Sequence, residues 1–135
     1  MTIPQLSIFI ENRSGTLIKV LEALKQANIQ IIASTIADTA EYGIYRIICN
    51  EPTRACEELK KAGIAVAISD VFAIELDDQP GRAADAVKTF SEAGISITYM
   101  YSFLLRGKGI LIFRTDDNAH AAEVIEKNQL KSMTP

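Results

Sequence analysis

Two short stretches hold residue types that could bind a carboxylate: Glu11-Asn12-Arg13-Ser14-Gly15-Thr16 and Leu76-Asp77-Asp78-Gln79-Pro80-Gly81-Arg82. Each follows an apolar run with strand character and precedes an apolar pattern of helical period, so each is a corner where a strand turns into a helix. A glycine there lets the backbone come close to whatever occupies the corner, and the first turn of a helix leaves amide N–H groups unpaired. A ligand carboxylate suits those amides near Gly81 and Arg82, where the helix dipole also favours it. Beside those amides the Asp78 carboxylate, or in the first corner the amide oxygen of Asn12, offers an acceptor. The same residues have a purely structural reading. Asn and Asp just ahead of a helix are preferred caps, worth about 1 kcal/mol without any ligand, and Gly15 and Gly81 answer a demand of the backbone alone.

The rest of the chain offers little reactive chemistry. His120 has no second histidine and falls on the outer side of a helix start, and Cys49 and Cys56 lack a CxxC spacing. Neither a zinc site nor a disulfide scaffold is expected. Nothing resembles an activated nucleophile or an acid–base pair, so the reading is a non-enzyme with no cofactor and no metal. Tyr42, Tyr45, Tyr99 and Tyr101 lie in or beside strands, where packing is their ordinary role, and Glu57-Glu58 and Lys60-Lys61 read as a solvated helix face.

The elements that hold the corners come in two copies. Gly15 and Gly81 stand 66 residues apart, and the same shift pairs Ile8 with Ile74, Ala27 with Ala93, Ile29 with Ile95, Gly43 with Gly109 and Ala55 with Ala121. The identities fall at corners, turns and core-facing positions, the mark of a tandem repeat, with domains at 1–69 and 70–135. In the first repeat, strands are expected at Gln5–Glu11, Ile29–Ala37, Ile44–Cys49 and Ile64–Ile68. Leu17, Val20, Leu21, Leu24 and Ala27 recur with helical spacing, and a second helix opens at Pro52 and stops at Gly63. The second repeat gives strands at Val71–Leu76, Ser96–Leu105, Gly109–Thr115 and Leu130–Met133. Its helices carry Ala83, Ala86, Val87, Phe90 and Ala93, then Ala119–Lys127. Each half is strand-helix-strand-strand-helix-strand. The fold class is therefore α+β: two tandem ferredoxin-like βαββαβ domains, each an antiparallel four-stranded sheet with both helices on one face, pairing into a larger sheet.

Bulk properties narrow the partners. A formal net charge of -3 speaks against a nucleic-acid or anionic-membrane surface, no apolar run is long enough to span a bilayer, and the start shows no secretory signal. The cytoplasm is the expected location. Apolar strands on an open sheet face make a homodimer the expected assembly.

With these residues in view, the chain resembles the ACT domain. The resemblance rests on the order of elements, the Glu11-Asn12-Arg13-Ser14-Gly15 and Asp78-Gln79-Pro80-Gly81 corners, and the Ala27-Asn28-Ile29-Gln30 and Ala93-Gly94-Ile95-Ser96 approaches to the second strands. It covers nearly the whole chain, twice. It implies a regulatory amino-acid-binding module of amino-acid metabolism, with the Asn or Asp of each corner contacting the ligand. A polar residue at the start of a neighbouring domain's second strand would complete the site, which adds Gln30 and Ser96. Ser14 stands where the family usually has proline. Should the halves pair through their second strands, Asn12 would lie near Ser96 and Asp78 near Gln30.

Two other uses of this fold fit less well. An RNA-binding module needs aromatic residues to stack bases where Lys108-Gly109-Ile110-Leu111-Ile112-Phe113 offers mostly aliphatic ones, and an acylphosphatase-like enzyme needs a glycine-rich phosphate cradle that is missing. The reading is thus a small stand-alone regulatory protein that binds free amino acids and acts on an enzyme or regulator of amino-acid metabolism. The alternative is an adaptor of the same fold that binds proteins and no small molecule.

Overall fold

In a computed structural model of the chain, residues 2–11, 15–38 and 42–133 are described. The elements are β1 (Thr2–Glu11), α1 (Thr16–Gln26), β2 (Ile31–Asp38), β3 (Tyr42–Cys49), α2 (Pro52–Lys61), β4 (Ala65–Asp77), α3 (Arg82–Glu92), β5 (Ile97–Leu105), β6 (Lys108–Thr115) and α4 (Asn118–Lys127). The chain divides into two compact units: a first unit, Pro4–Ser69, and a second, Met1–Ile3 with Asp70–Pro135. The turn expected between β2 and β3 falls largely outside the described residues.

In place of two four-stranded sheets, the strands take a single six-stranded order, β2-β3-β1-β4-β6-β5. The physical reason is local. Between Ile68 and Val71 stand only Ser69 and Asp70, with no glycine or proline to turn the chain, so the two strands expected there run on as one 13-residue strand, β4. The strand expected at Leu130–Met133 shrinks to one antiparallel bridge, Ile74 to Ser132, flanked by Glu75 N–H to Lys131 O and Met133 N–H to Ala73 O, both 2.8 Å.

Each unit has its own core. In the first, the buried stripe of α1, Val20 and Leu24, and Ala55 and Leu59 of α2 pack with Leu6 and Ile8 of β1 and Tyr45 and Ile47 of β3. In the second, Phe72 and Phe90 both lie against Phe113, with ring centroids 5.4 and 5.0 Å away, among Ile74, Leu111 and Ile125. The stripes read from the sequence for α1 and α3 face these cores, except that Ala83, in the first turn of α3, is exposed.

The helices end alike. After α1, α2, α3 and α4 come Asn28, Gly63, Gly94 and Gln129, all left-handed, with φ of 57°, 77°, 76° and 54°. Each is followed by an amide that bonds back to the last turn, such as Ile29 N–H to Leu24 O and Leu130 N–H to Ile125 O, both 3.0 Å. This six-to-one bond satisfies an orphan carbonyl and fixes where the next segment starts. Arg106 and Gly107 are also left-handed and close the β5–β6 hairpin, as a two-residue turn matching the strand twist requires.

In the first unit, Arg54 joins the start of α2 to the end of α1: its guanidinium donates to both Glu51 carboxylate oxygens and to the Ala27 carbonyl. The hydrogen bond from Arg54 holds the Glu51 carboxyl below its ordinary 4.5. Burial pushes the Cys49 thiol upward, and Cys49 and Cys56 are both free and buried. No helix among the described residues is long and apolar enough to cross a membrane.

Gln129 carries a side chain where a left-handed residue is needed, which costs about 1–2 kcal/mol relative to glycine. Part of that is offset by glycine's freer unfolded state, so Gln129→Gly should stabilise the chain by about 0.5–1 kcal/mol, read as a higher urea midpoint; a lower midpoint would contradict the capping role. A depressed carboxyl contributes stability that is present above its unfolded pKa and lost as pH falls through the folded one. Glu51→Gln should therefore flatten the loss of stability that the parent shows as pH drops below about 4.5, and an unchanged acid limb would remove the pair from that role.

Candidate functional site

Asn12, Arg13 and Ser14 lie outside the described residues. Gly15 is the N-cap of α1, with φ 93° and ψ -19°, and Gly81 is the N-cap of α3, with φ 87° and ψ -6°. Neither helix has a side-chain cap. The structural reading of Asp78 as an N-cap is thereby corrected: the capping position belongs to glycine, three residues further on. Helix α4 shows the contrast, since the Asp117 carboxylate accepts from the His120 amide. At the start of α3 the Arg82 amide bonds to Gln79 O at 3.4 Å, and no side-chain cap takes the amides that follow it.

The second corner is tightly ordered. Gln79 N–H bonds to Asp77 O at 2.8 Å, a tight turn that carries β4 into Asp78-Gln79-Pro80. Arg82 donates to Gln79 Oε1 at 3.1 Å and to Asp85 Oδ2 at 3.3 Å, and Lys108 reaches Asp77 Oδ1 at 3.2 Å. The exposed Asp78 has no such partner among the described residues. Of the charged groups at this corner it is the one left to accept a donor from a ligand.

A groove of about 420 Å³ opens beside this corner, with Asp78, Gln79 and Arg82 on one side and Ser102, Phe103 and Leu104 of β5 on the other. At the first corner a groove of about 530 Å³ is lined by Glu11, Gly15, Thr16 and Lys19, with Phe9, Ile10 and Ile64 among its apolar walls. Both volumes suit a small ligand. Thr16 spends its hydroxyl on Glu11 O at 2.8 Å.

Gln30 and Ser96 lie elsewhere. In the first unit, the pairs Glu11 with Tyr42 and Asp38 with Gly43 mark one end of the ladder and Ile31 with Cys49 the other. Gly15 follows the first end and Gln30 precedes the second, so the unit does not bring them together. The second unit repeats this, with Asp77 opposite Lys108 at one end and Ile97 opposite Thr115 at the other. The backbones of Gln30 and Ser96 are engaged: Gln30 N–H donates to Asn50 Oδ1 and Ser96 N–H to Asp116 Oδ1, both at 3.0 Å, and each returns a carbonyl bond. These matched pairs hold each second strand against the end of the third.

The sequence reading missed Lys19 and the Ser102–Leu104 wall. A cation one turn into a helix, as Lys19 is, lies within reach of the helix's N-terminal corner. The β5 wall had a usable signal, since the hairpin at Arg106-Gly107 must return β5 to the end of the sheet where β4 stops. His120 is half-buried in the first turn of α4, and no group of three metal-ligating side chains occurs among the described residues.

A Cβ at Gly81 would meet nothing within 4 Å. Gly81→Ala should therefore cost only the left-handed backbone penalty, about 1–2 kcal/mol, and Gly81→Asn less; equal costs measured by urea unfolding would show that something other than φ governs the corner.

The ACT domain pair profile matches residues 1–134. Protein BT0572 from Bacteroides thetaiotaomicron is 36% identical in sequence, with a TM-score of 0.93 over 98% of this chain and 92% of that one. The ligand-free regulatory subunit of aspartate kinase from Thermus thermophilus shares the fold at 14% identity, with a TM-score of 0.62 over 92% of this chain and 91% of that one. The corresponding subunit from Thermus flavus does so at 16% identity, with a TM-score of 0.57 over 90% and 86%. No curated protein matches. With two glycine corners in register and a profile that spans the chain, this protein belongs to the ACT domain pair family.

Proposed function

We propose that the chain is a cytoplasmic, non-catalytic regulatory module that binds a free amino acid at its glycine corners. It would signal by changing its association with an enzyme or regulator of amino-acid metabolism. The observation that carries this reading is the second corner, where α3 starts without a side-chain cap and Asp78, with no partner among the described residues, lines a groove beside it. An amino acid needs donors for its carboxylate and an acceptor for its ammonium within a few ångströms, and this corner offers both. The fold alone does not fix function, but two proteins that share it are regulatory subunits of aspartate kinase, a use compatible with the corner chemistry. In the first corner the exposed Lys19 adds a cation for the carboxylate, with Asn12 as the proposed acceptor beside Arg13 and Ser14. Gln30 and Ser96 would contribute only by reaching a corner of another unit. A switch requires the ligand to prefer one arrangement over another, and that differential affinity would come from the groove walls.

A thermal-melt panel of the twenty amino acids tests this. A ligand present at about 100 times its dissociation constant adds roughly 2.7 kcal/mol, which moves the midpoint by several degrees. The expected result is a shift with one amino acid or a chemically related few. Asp78→Ala should abolish the shift while changing unliganded stability by less than about 0.5 kcal/mol. A panel without any shift favours the adaptor reading, and equal shifts in parent and variant would take Asp78 out of the site.

A further inference from the structure

Two glycines occupy the same place in the two repeats, Gly43 near the start of β3 and Gly109 near the start of β6, and neither is left-handed. Glycine weakens a strand, so at backbone angles that any residue adopts it calls for another reason, such as the close approach of something else. In the first unit the reason is packing. A Cβ on Gly43 would lie 3.2 Å from Cγ1 of Ile10, its partner on β1, whose side chain fills the space. In the second unit the space is open. A Cβ on Gly109 would meet Leu76 alone, at 3.5 Å from the carbonyl oxygen and 3.9 Å from Cβ, both ordinary contacts.

Gly109 pairs with Leu76 of β4 on one side and with Leu104 of β5 on the other. Residues paired directly across a sheet share a face, and this is the face that carries the helices, because Leu111, two residues on, lies in the core. Neighbouring strands stand about 4.8 Å apart, so the backbones of the two leucines are about 10 Å apart across a notch that holds no side chain. The notch belongs to the groove of the second corner, where Leu76, Leu104, Gly109 and Leu111 are walls and Asp78 stands at the rim. Leu104 is 65% exposed there. The neighbouring charges are spent: Lys108 holds Asp77, and Arg82 is engaged by Gln79 and Asp85.

We propose that Gly109 determines the specificity of the second corner, its notch receiving the side chain of an uncharged, apolar amino acid of leucine or phenylalanine size. The inference rests on the amino-acid-binding reading above, in which Asp78 takes the ligand ammonium, and adds which amino acid is chosen. A charged side chain would enter an apolar slot with no counter-charge left to meet it. Glycine or alanine would leave the leucines in water. The first unit has no such slot, since Ile10 fills the space over Gly43 and Asp38 pairs with that glycine where the second unit has Leu104.

Thermal melts and calorimetric titrations with leucine, phenylalanine, alanine, aspartate and lysine read the outcome. One methylene in an apolar pocket changes binding by about tenfold or more, so leucine or phenylalanine should bind at least about tenfold more tightly than alanine. Aspartate and lysine should give no shift. Gly109→Val fills the notch with a residue suited to a strand; its unliganded midpoint should be no lower than the parent's, and the preference for leucine over alanine should disappear. Leu104→Ser, at an exposed position on which the fold does not depend, removes one wall and should weaken leucine by about tenfold while leaving alanine unchanged. A charged amino acid as the tightest ligand, or a parent-like preference in both variants, overturns the inference and leaves the amino-acid-binding reading standing. A parent that responds to none of the twenty amino acids overturns both.

Discussion

Much of this structure follows from a few backbone positions that must be left-handed. Gly15 and Gly81 cap α1 and α3 from that region, and Asn28, Gly63, Gly94 and Gln129 end the helices from it. L-residues avoid these angles because Cβ crowds the following carbonyl. Placing glycine or asparagine at five of the six therefore fixes where each helix begins and ends, and with it the register in which the stripes Val20-Leu24 and Ala86-Phe90 meet their sheets. The corners acquire their chemistry from the same constraint. A glycine cap brings no side chain, so no cap of its own competes for the amides that follow Arg82 in α3. What reads as a purely structural demand also creates the place where a ligand could be held.

The repeats have diverged in how they secure the second helix. In the first unit Arg54 ties α2 to the end of α1 through Glu51 and Ala27. The residue 66 positions later is His120, and there the helix is held by a cap from Asp117. One unit thus uses a permanently charged clamp between helices and the other a local hydrogen bond. The matched pairs Gln30 with Asn50 and Ser96 with Asp116 changed chemically without changing role, since an amide oxygen and a carboxylate oxygen accept the same backbone N–H.

Those parts of the fold whose cause is local were legible in the sequence. Helical stripes show as a period, and Asn28, Gly63 and Gly94 announce their stops. The hairpin at Arg106-Gly107-Lys108 is visible because a glycine sits between two apolar runs. Less local features were hidden. Nothing in Ser69-Asp70 says whether the strands on either side are one or two, because continuity through β4 depends on what pairs along both flanks. The capping position shifted from Asp78 to Gly81 because three residues of turn intervene, and single-residue preferences do not count turns. The groove walls at Lys19 and Ser102–Leu104 are brought beside the corners by pairing register. Gln30 and Ser96 read as polar strand starts, and their backbone pairing explains that position without reference to a ligand.

The division of the chain into units also has a consequence during synthesis. The first unit is contiguous, Pro4–Ser69, so its core can close as soon as that stretch has left the ribosome. The second unit draws on Met1–Ile3 as well as on Asp70 onward, and its bridge at Ser132 is made more than sixty residues after Ser69. At roughly 5–20 residues per second, Thr2 and Ile3 wait several seconds after the first unit is complete before the rest of their own unit exists. Vectorial emergence therefore imposes an order of assembly on two halves that the amino-acid repeat makes nearly equal.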